Sequence, residues 1–170
     1  IANTIEYNQT SNIRDFLLLG LGLSYKENYA LEGYANISQN YRSVTFADIS
    51  IVNPAYIINP NIDDENGYTA DLGIRGKFKN RISYDMNLFY LLYKQRIGFI
   101  QKLQNDGNIK SERGNVGDAR ISGIESLIDV RIFGMNHTTF KCNYYANTSF
   151  ITSEYINSDQ NGIQGNIVEF

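Results

Sequence analysis

Between Gly67 and Gly98, hydrophobic and polar positions alternate with a period of two. Tyr68, Ala70, Leu72, Ile74, Gly76 and Phe78 fall on one face, and Thr69, Asp71, Gly73, Arg75 and Lys77 on the other. After the polar break Lys79-Asn80-Arg81 the alternation resumes. Ile82, Tyr84, Met86, Leu88, Tyr90 and Leu92 then oppose Ser83, Asp85, Asn87, Phe89, Leu91 and Tyr93. Such a pattern predicts an antiparallel hairpin with two unlike faces. Ordinary strands run about 5–6 residues. Strands of about 9–11 residues, apolar outside and polar inside, mark a transmembrane β-barrel.

The rest of the chain follows the same rule. Phe16 to Lys26 and Ala30 to Arg42 read as two long strands around a short turn at Glu27-Asn28-Tyr29. Asn115 to Phe133 and His137 to Thr152 read as two more around Gly134-Met135-Asn136. Ser43 to Asn66 is a long loop that holds both prolines and the acidic run Asp63-Asp64-Glu65, which reads as solvated. Gly98 to Gly114 reads as a second loop, with Phe99 to Leu103 able to extend the preceding strand. Connections therefore alternate short and long along about six strands, as in a barrel with short periplasmic turns and long extracellular loops. The short turns recur about every fifty residues, a spacing shared with kelch propellers. A propeller blade puts four short strands into that length, whereas two long ones occur here.

Composition narrows the functions. The net charge is −3, so nothing points to nucleic acid. One cysteine, Cys142, excludes an internal disulfide framework, and one histidine, His137, excludes a metal site built from several His or Cys. The run Asn61-x-Asp63-x-Glu65 fails the EF-hand pattern, because Asn66 and Leu72 stand where Gly and Glu are required. Gly20-x-Gly22 has no third glycine and no following helix. Glu125 and Asp129 share a face but have no nucleophile, His or metal beside them; they read as lumen solvation, paired across strands with Arg75, Lys77 or Arg131. No residue reads as catalytic, and no cofactor is expected. Six strands cannot close around so many polar inward groups, and an open sheet leaves two unpaired edges, so residues 1–170 read as one partial barrel domain of a longer protein.

Three passages carry a resemblance to a family. They are Tyr34-Ala35-Asn36-Ile37-Ser38-Gln39-Asn40-Tyr41-Arg42 through Asp48; Asn59-Pro60-Asn61 with Glu65 and Gly67 to Gly76; and Asn115-Val116-Gly117-Asp118-Ala119-Arg120-Ile121-Ser122-Gly123-Ile124-Glu125. In order and spacing the chain resembles the barrel of TonB-dependent outer-membrane receptors, nearest to ferric dicitrate and ferric-siderophore receptors. The resemblance implies a segment of a 22-stranded barrel with a plug in its lumen. It also implies location in the cell outer membrane, contact with its lipid, and uptake of a ferric chelate driven by TonB through a plug domain that this chain does not carry. Iron would arrive inside the ligand.

Anionic chelates favour inward Arg, amide and aromatic groups near the long-loop rim. By parity Arg42, Tyr93, Gln95 and Arg113 are the candidate ligand contacts. Arg96 and Arg120 land on the outward face near that rim, unless a bulge reverses the parity. Tyr25, Phe78, Tyr84 and Phe140 suit an aromatic girdle at the short-turn rim, and Tyr41, Tyr68 and Tyr90 one at the other. Two rivals remain: a passive channel or structural barrel without TonB coupling, and a soluble β-sandwich. The sandwich predicts strands of about six residues with polar outer faces.

Overall fold

The computed structural model describes residues 15–51, 53–79, 81–133, 140–158 and 162–168. Strand β1 is Gly20–Lys26 and β2 is Glu32–Arg42. A four-residue helix, α1 (Phe46–Ile49), and a three-residue strand, β3 (Tyr56–Ile58), follow. β4 is Glu65–Phe78, β5 is Ile82–Leu103, β6 is Ile109–Phe133 and β7 is Cys142–Asn157. They form one seven-stranded sheet, ordered β1-β2-β4-β5-β6, with both β3 and β7 paired to β6. Every pairing is antiparallel except β3 with β6. Among the described residues no strand covers the outer edge of β1 or of β7.

The registers settle the two faces. One row runs Leu23, Ala35, Leu72, Leu88, Ile124 and Phe150 across six strands. The row beside it, on the opposite face, runs Ser24, Tyr34, Gly73, Asn87, Glu125 and Ser149. Among the described residues nothing packs over the apolar face: Leu23 is 66% exposed, Leu72 59% and Phe150 72%. The few buried apolar residues, Ile97, Val116, Ala119, Ile121 and Val168, lie at the other end of the sheet from the short turns. A soluble sandwich would bury its apolar face against a second sheet. This sheet leaves it open, and its main strands run from 7 to 25 residues.

The apolar band has a measurable height. Its lower limit is the row Phe78, Ile82, Val130, Tyr144 beside the short turns. Its upper limit is the row Tyr68, Leu92, Arg120, Glu154, where an ion pair appears on the outer face. Ten residue steps along β5 separate the two, from Ile82 to Leu92. At about 3.3 Å per residue and a tilt of about 40°, they span about 25 Å. That is the height of the lipid-facing band of an outer-membrane barrel. Phe78, Tyr84 and Tyr144 sit near the lower limit, and Tyr68 and Tyr90 near the upper, as two aromatic girdles require.

Tight turns close the lower rim by local hydrogen bonding. The Asn28 carboxamide oxygen accepts from Ala30 N (2.7 Å) and Leu31 N (3.1 Å), turning β1 into β2. Lys79 takes φ +48°, and Arg81 N donates to Phe78 O at 3.0 Å. The expected turn at Gly134-Met135-Asn136, with His137, lies outside the described residues.

Above the band the structure departs from expectation. Gly98 to Gly114 is no loop: β5 and β6 pair without interruption to Leu103 and Ile109. A tight tip closes them, with Gly107 at φ +82° and Asp106 accepting from Asn108. The alternation there is weak because both faces meet water, so hydrophobic patterning has nothing to report. A bulge at Tyr93 to Arg96, with Gln95 at φ +56°, joins the membrane part of β5 to this extension. The loop Ser43 to Asn66 likewise holds α1 and β3, which brings the strand count to seven.

Candidate functional site

β3 comes from the β2–β4 loop, yet it pairs with β6, two strands beyond β4. The loop therefore crosses the upper ends of β4 and β5. It crosses on the polar face, because the groups that receive it, Arg42, Glu65 and Arg113, belong to the inward rows.

Asp48 is the centre of this crossing. The sequence Thr45-x-x-Asp48 starts α1 by a reciprocal cap: Asp48 N donates to Thr45 O, while Thr45 N and its hydroxyl donate to the Asp48 carboxylate at 2.9 and 2.7 Å. Arg42 from β2 donates to both carboxylate oxygens at 2.9 Å, and Arg113 from β6 donates at 2.6 Å. Asp48 is 2% exposed. Burial by itself raises its pKa. The bonds from Arg113, Thr45 and Arg42 outweigh burial and hold the carboxyl well below the usual carboxylate range. Burial also disfavours the charged Arg42, and its bonds to Asp48 and Glu65 reverse that effect and raise its pKa.

A second buried carboxylate, Glu65, accepts from Arg42 at 2.9 Å and from Ile97 N at 2.8 Å. A third, Glu112, accepts from Lys102 Nζ at 2.9 Å and from Asn59 Nδ2 at 3.3 Å. The acidic run is therefore not simply solvated. Glu65 is buried and ion-paired, and Asp64 accepts from the Tyr41 hydroxyl and from Val44 N. Asp63 N donates to Asn115 Oδ1 at 2.7 Å, and Asn115 Nδ2 donates in turn to Asp63 O and Gln95 O.

The four expected contacts fall into separate places. Arg42 and Arg113 are brought together through Asp48, and the Arg113 guanidinium also lies 4.6 Å from the centre of the Phe99 ring. Gln95 belongs to the bulge, tied to Asn115 and to Asp118 through its own N–H. Tyr93 lies under the Arg96 guanidinium at 5.7 Å. Parity along the chain does not bring Asp48, Glu112, Lys102 or Asn59 to the rim, where the structure places them. The capping pattern of Thr45 and Asp48 was the visible signal for α1; no spacing in the chain shows that Asp48 meets Arg113.

Lower on the inward face, Arg75 pairs with Glu32 at 2.7 Å, and Tyr34 donates to Asp85 at 3.0 Å. Asp129 and Glu125 are met by Asn143 and Ser149, not by the cations expected for them. On the outer face Arg120 pairs with Glu154. No group of three or more His, Cys, Asp or Glu is placed to hold a metal among the described residues, and none of their helices is long and apolar enough to cross a membrane.

The comparisons with known proteins fit this geometry. No curated protein matches. The copper transporter OprC has a similar structure, with a TM-score of 0.60 and 15% identity over 79% of this chain. The siderophore receptor PirA from Pseudomonas aeruginosa has a TM-score of 0.55 and 15% identity over 84% of this chain. This chain spans 20% of the first and 31% of the second, so each likeness is one of fold over part of a larger barrel. The model of the TonB-dependent receptor-like β-barrel, a family of outer-membrane receptors and transporters and not of enzymes, matches residues 3–168. The chain belongs to this β-barrel family of TonB-dependent receptors.

Proposed function

We propose that residues 1–170 form part of the wall of a 22-stranded outer-membrane barrel. The full receptor takes up a ferric chelate, a siderophore or iron dicitrate, with TonB acting through a plug domain. The supporting observation is the two-faced sheet. An apolar band about 25 Å high meets lipid, and a polar face, crossed at its top by an ion-paired loop, meets the lumen. No chemistry on the cargo is part of this reading, because the matched family is one of receptors and transporters. The siderophore named for PirA supports the chelate reading, and the copper named for OprC marks its rival. In this reading Tyr93 and Gln95 offer an aromatic face and an amide to the ligand path, and Arg42 and Arg113 meet the ligand as ion-paired groups.

The test is uptake of radiolabelled iron by cells that carry the full receptor as their sole route for the chelate. Uptake of ferric citrate or a ferric siderophore that disappears when TonB is deleted is the expected result. Uptake that persists without TonB favours a passive channel. Uptake of copper with no ferric chelate overturns the cargo assignment.

A further inference from the structure

Arg42 and Arg113 come from strands separated by β4 and β5, and they meet on one carboxylate from a loop between them in space. The rest of that loop is fastened as well. Ser111 N donates to Ala55 O (3.1 Å) and Asn59 N to Arg113 O (2.8 Å), which holds β3 to β6. The return to β4 is held by the Asp63–Asn115 pair. A loop of this length without anchors would sample many conformations. Here it has anchors at its start, middle and end.

We propose that Ser43 to Asp64 is a fixed strap across the lumen side of the mouth, and that Asp48 is its buckle and masks the charge of both rim arginines. Arg42 and Arg113 are matched by Asp48 and Glu65, so two guanidiniums face two carboxylates and the cluster offers no net attraction to an anion. The rim then selects a ligand by shape and neutral contacts, and the strap fixes the width of the passage. Asp48 is thus a positioning residue that acts through Arg42, Arg113 and β3. The charge-masking half of the proposal rests on the ferric-chelate reading; the strap itself does not.

The experiment compares the full receptor in nanodiscs with its Asp48→Asn and Arg113→Gln variants. Hydrogen–deuterium exchange is followed in residues 43–64, with residues 82–92 as the folded-barrel control. In the parent protein the strap should exchange at least tenfold more slowly than the exposed tip 104–108. Asp48→Asn should remove most of that difference and leave 82–92 unchanged. Arg113→Gln should loosen the β3 side and leave the Arg42 side protected. A strap that exchanges as fast as the tip in the parent protein, or as slowly in Asp48→Asn as in the parent, overturns the proposal. Ferric citrate binding is measured in parallel. Asp48→Asn should bind it several-fold more tightly at low salt, with the gain lost at high salt, because an unmasked guanidinium attracts an anion through a screened field. Equal affinity at every salt overturns the masking. If exchange shows release of the strap but neither protein binds any ferric chelate, the strap stands and the cargo reading falls.

Discussion

At the residue scale, the inward face is shaped by what lies over its glycines. The Tyr34 ring stands over Gly73, so that a Cβ there would come within 2.7 Å of ring atom Cε1. Phe89 lies across Gly123 in the same way, with Cζ 2.7 Å from the Cβ position. A glycine in a strand leaves a gap that an aromatic neighbour fills. Gly73→Ala forces the Tyr34 ring off the wall and strains its bond to Asp85. Overpacking of this kind costs about 1–3 kcal/mol. The loss is measured as a lower urea midpoint for the folded barrel on heat-modifiability gels. In a double-mutant cycle with Tyr34→Ala the two changes should be strongly non-additive, since the clash needs both groups. An additive cycle removes the ring from the account. The glycines were legible in the sequence as residues that thin the inward face. Their aromatic partners were not, because which residue of the neighbouring strand stands opposite each glycine is set by the register and leaves no trace in spacing.

At the element scale, legibility follows the solvent. Where β4 and β5 divide lipid from lumen, from Tyr68 to Leu92, the alternation names each face correctly. Above Leu92 the hairpin has no lipid to face, and the sequence reads as loop although the ladder runs on to Leu103. β3 is three residues long and depends on anchors from elsewhere, which no local pattern encodes. The strap also predicts a pH response. Asp48 faces Arg42 from β2 and Arg113 from β6, with Glu65 of β4 on the other side of Arg42. Its folded pKa is depressed, so the unfolded or released form binds its proton more readily. The anchoring is thus complete above the released pKa, near about 4, and is lost as pH falls below it toward the folded value. A spin label at Ser50, placed in a Cys142→Ser background, should stay immobile from neutral pH to about pH 4 and loosen only below it. Asp48→Asn should give a mobile label across the whole range. Loosening of the parent between pH 7 and 5 assigns the control to another group.

At the scale of the whole molecule, the sheet has no core in the ordinary sense, and lipid must supply what a second sheet supplies elsewhere. Stability is then a function of depth. Leu72 and Leu88 share a row six residues above Ile82, close to the middle of the apolar band, whereas Leu92 lies in the row of the Arg120–Glu154 pair at its upper limit. A cation on the lipid face of a barrel costs about 2–4 kcal/mol at the bilayer midplane and about 0–1 kcal/mol near the interface. Leu72→Arg should therefore destabilise the receptor in lipid vesicles by about 2–4 kcal/mol, and Leu92→Arg by less than about 1 kcal/mol. Both are read from reversible unfolding in guanidinium. Asp71 is the control, because it lies in the row next to Leu72's but faces inward: Asp71→Arg meets water and should follow no depth rule. Equal costs at Leu72 and Leu92 would mean that the apolar face does not cross a bilayer at the height set by the two aromatic rows. A soluble partner sheet would then have to cover it, and the two-faced register would need another explanation. The unequal costs expected here would fix the lipid boundary at Arg120 and put the β5–β6 extension, with the strap buckled beside it, wholly outside the hydrocarbon.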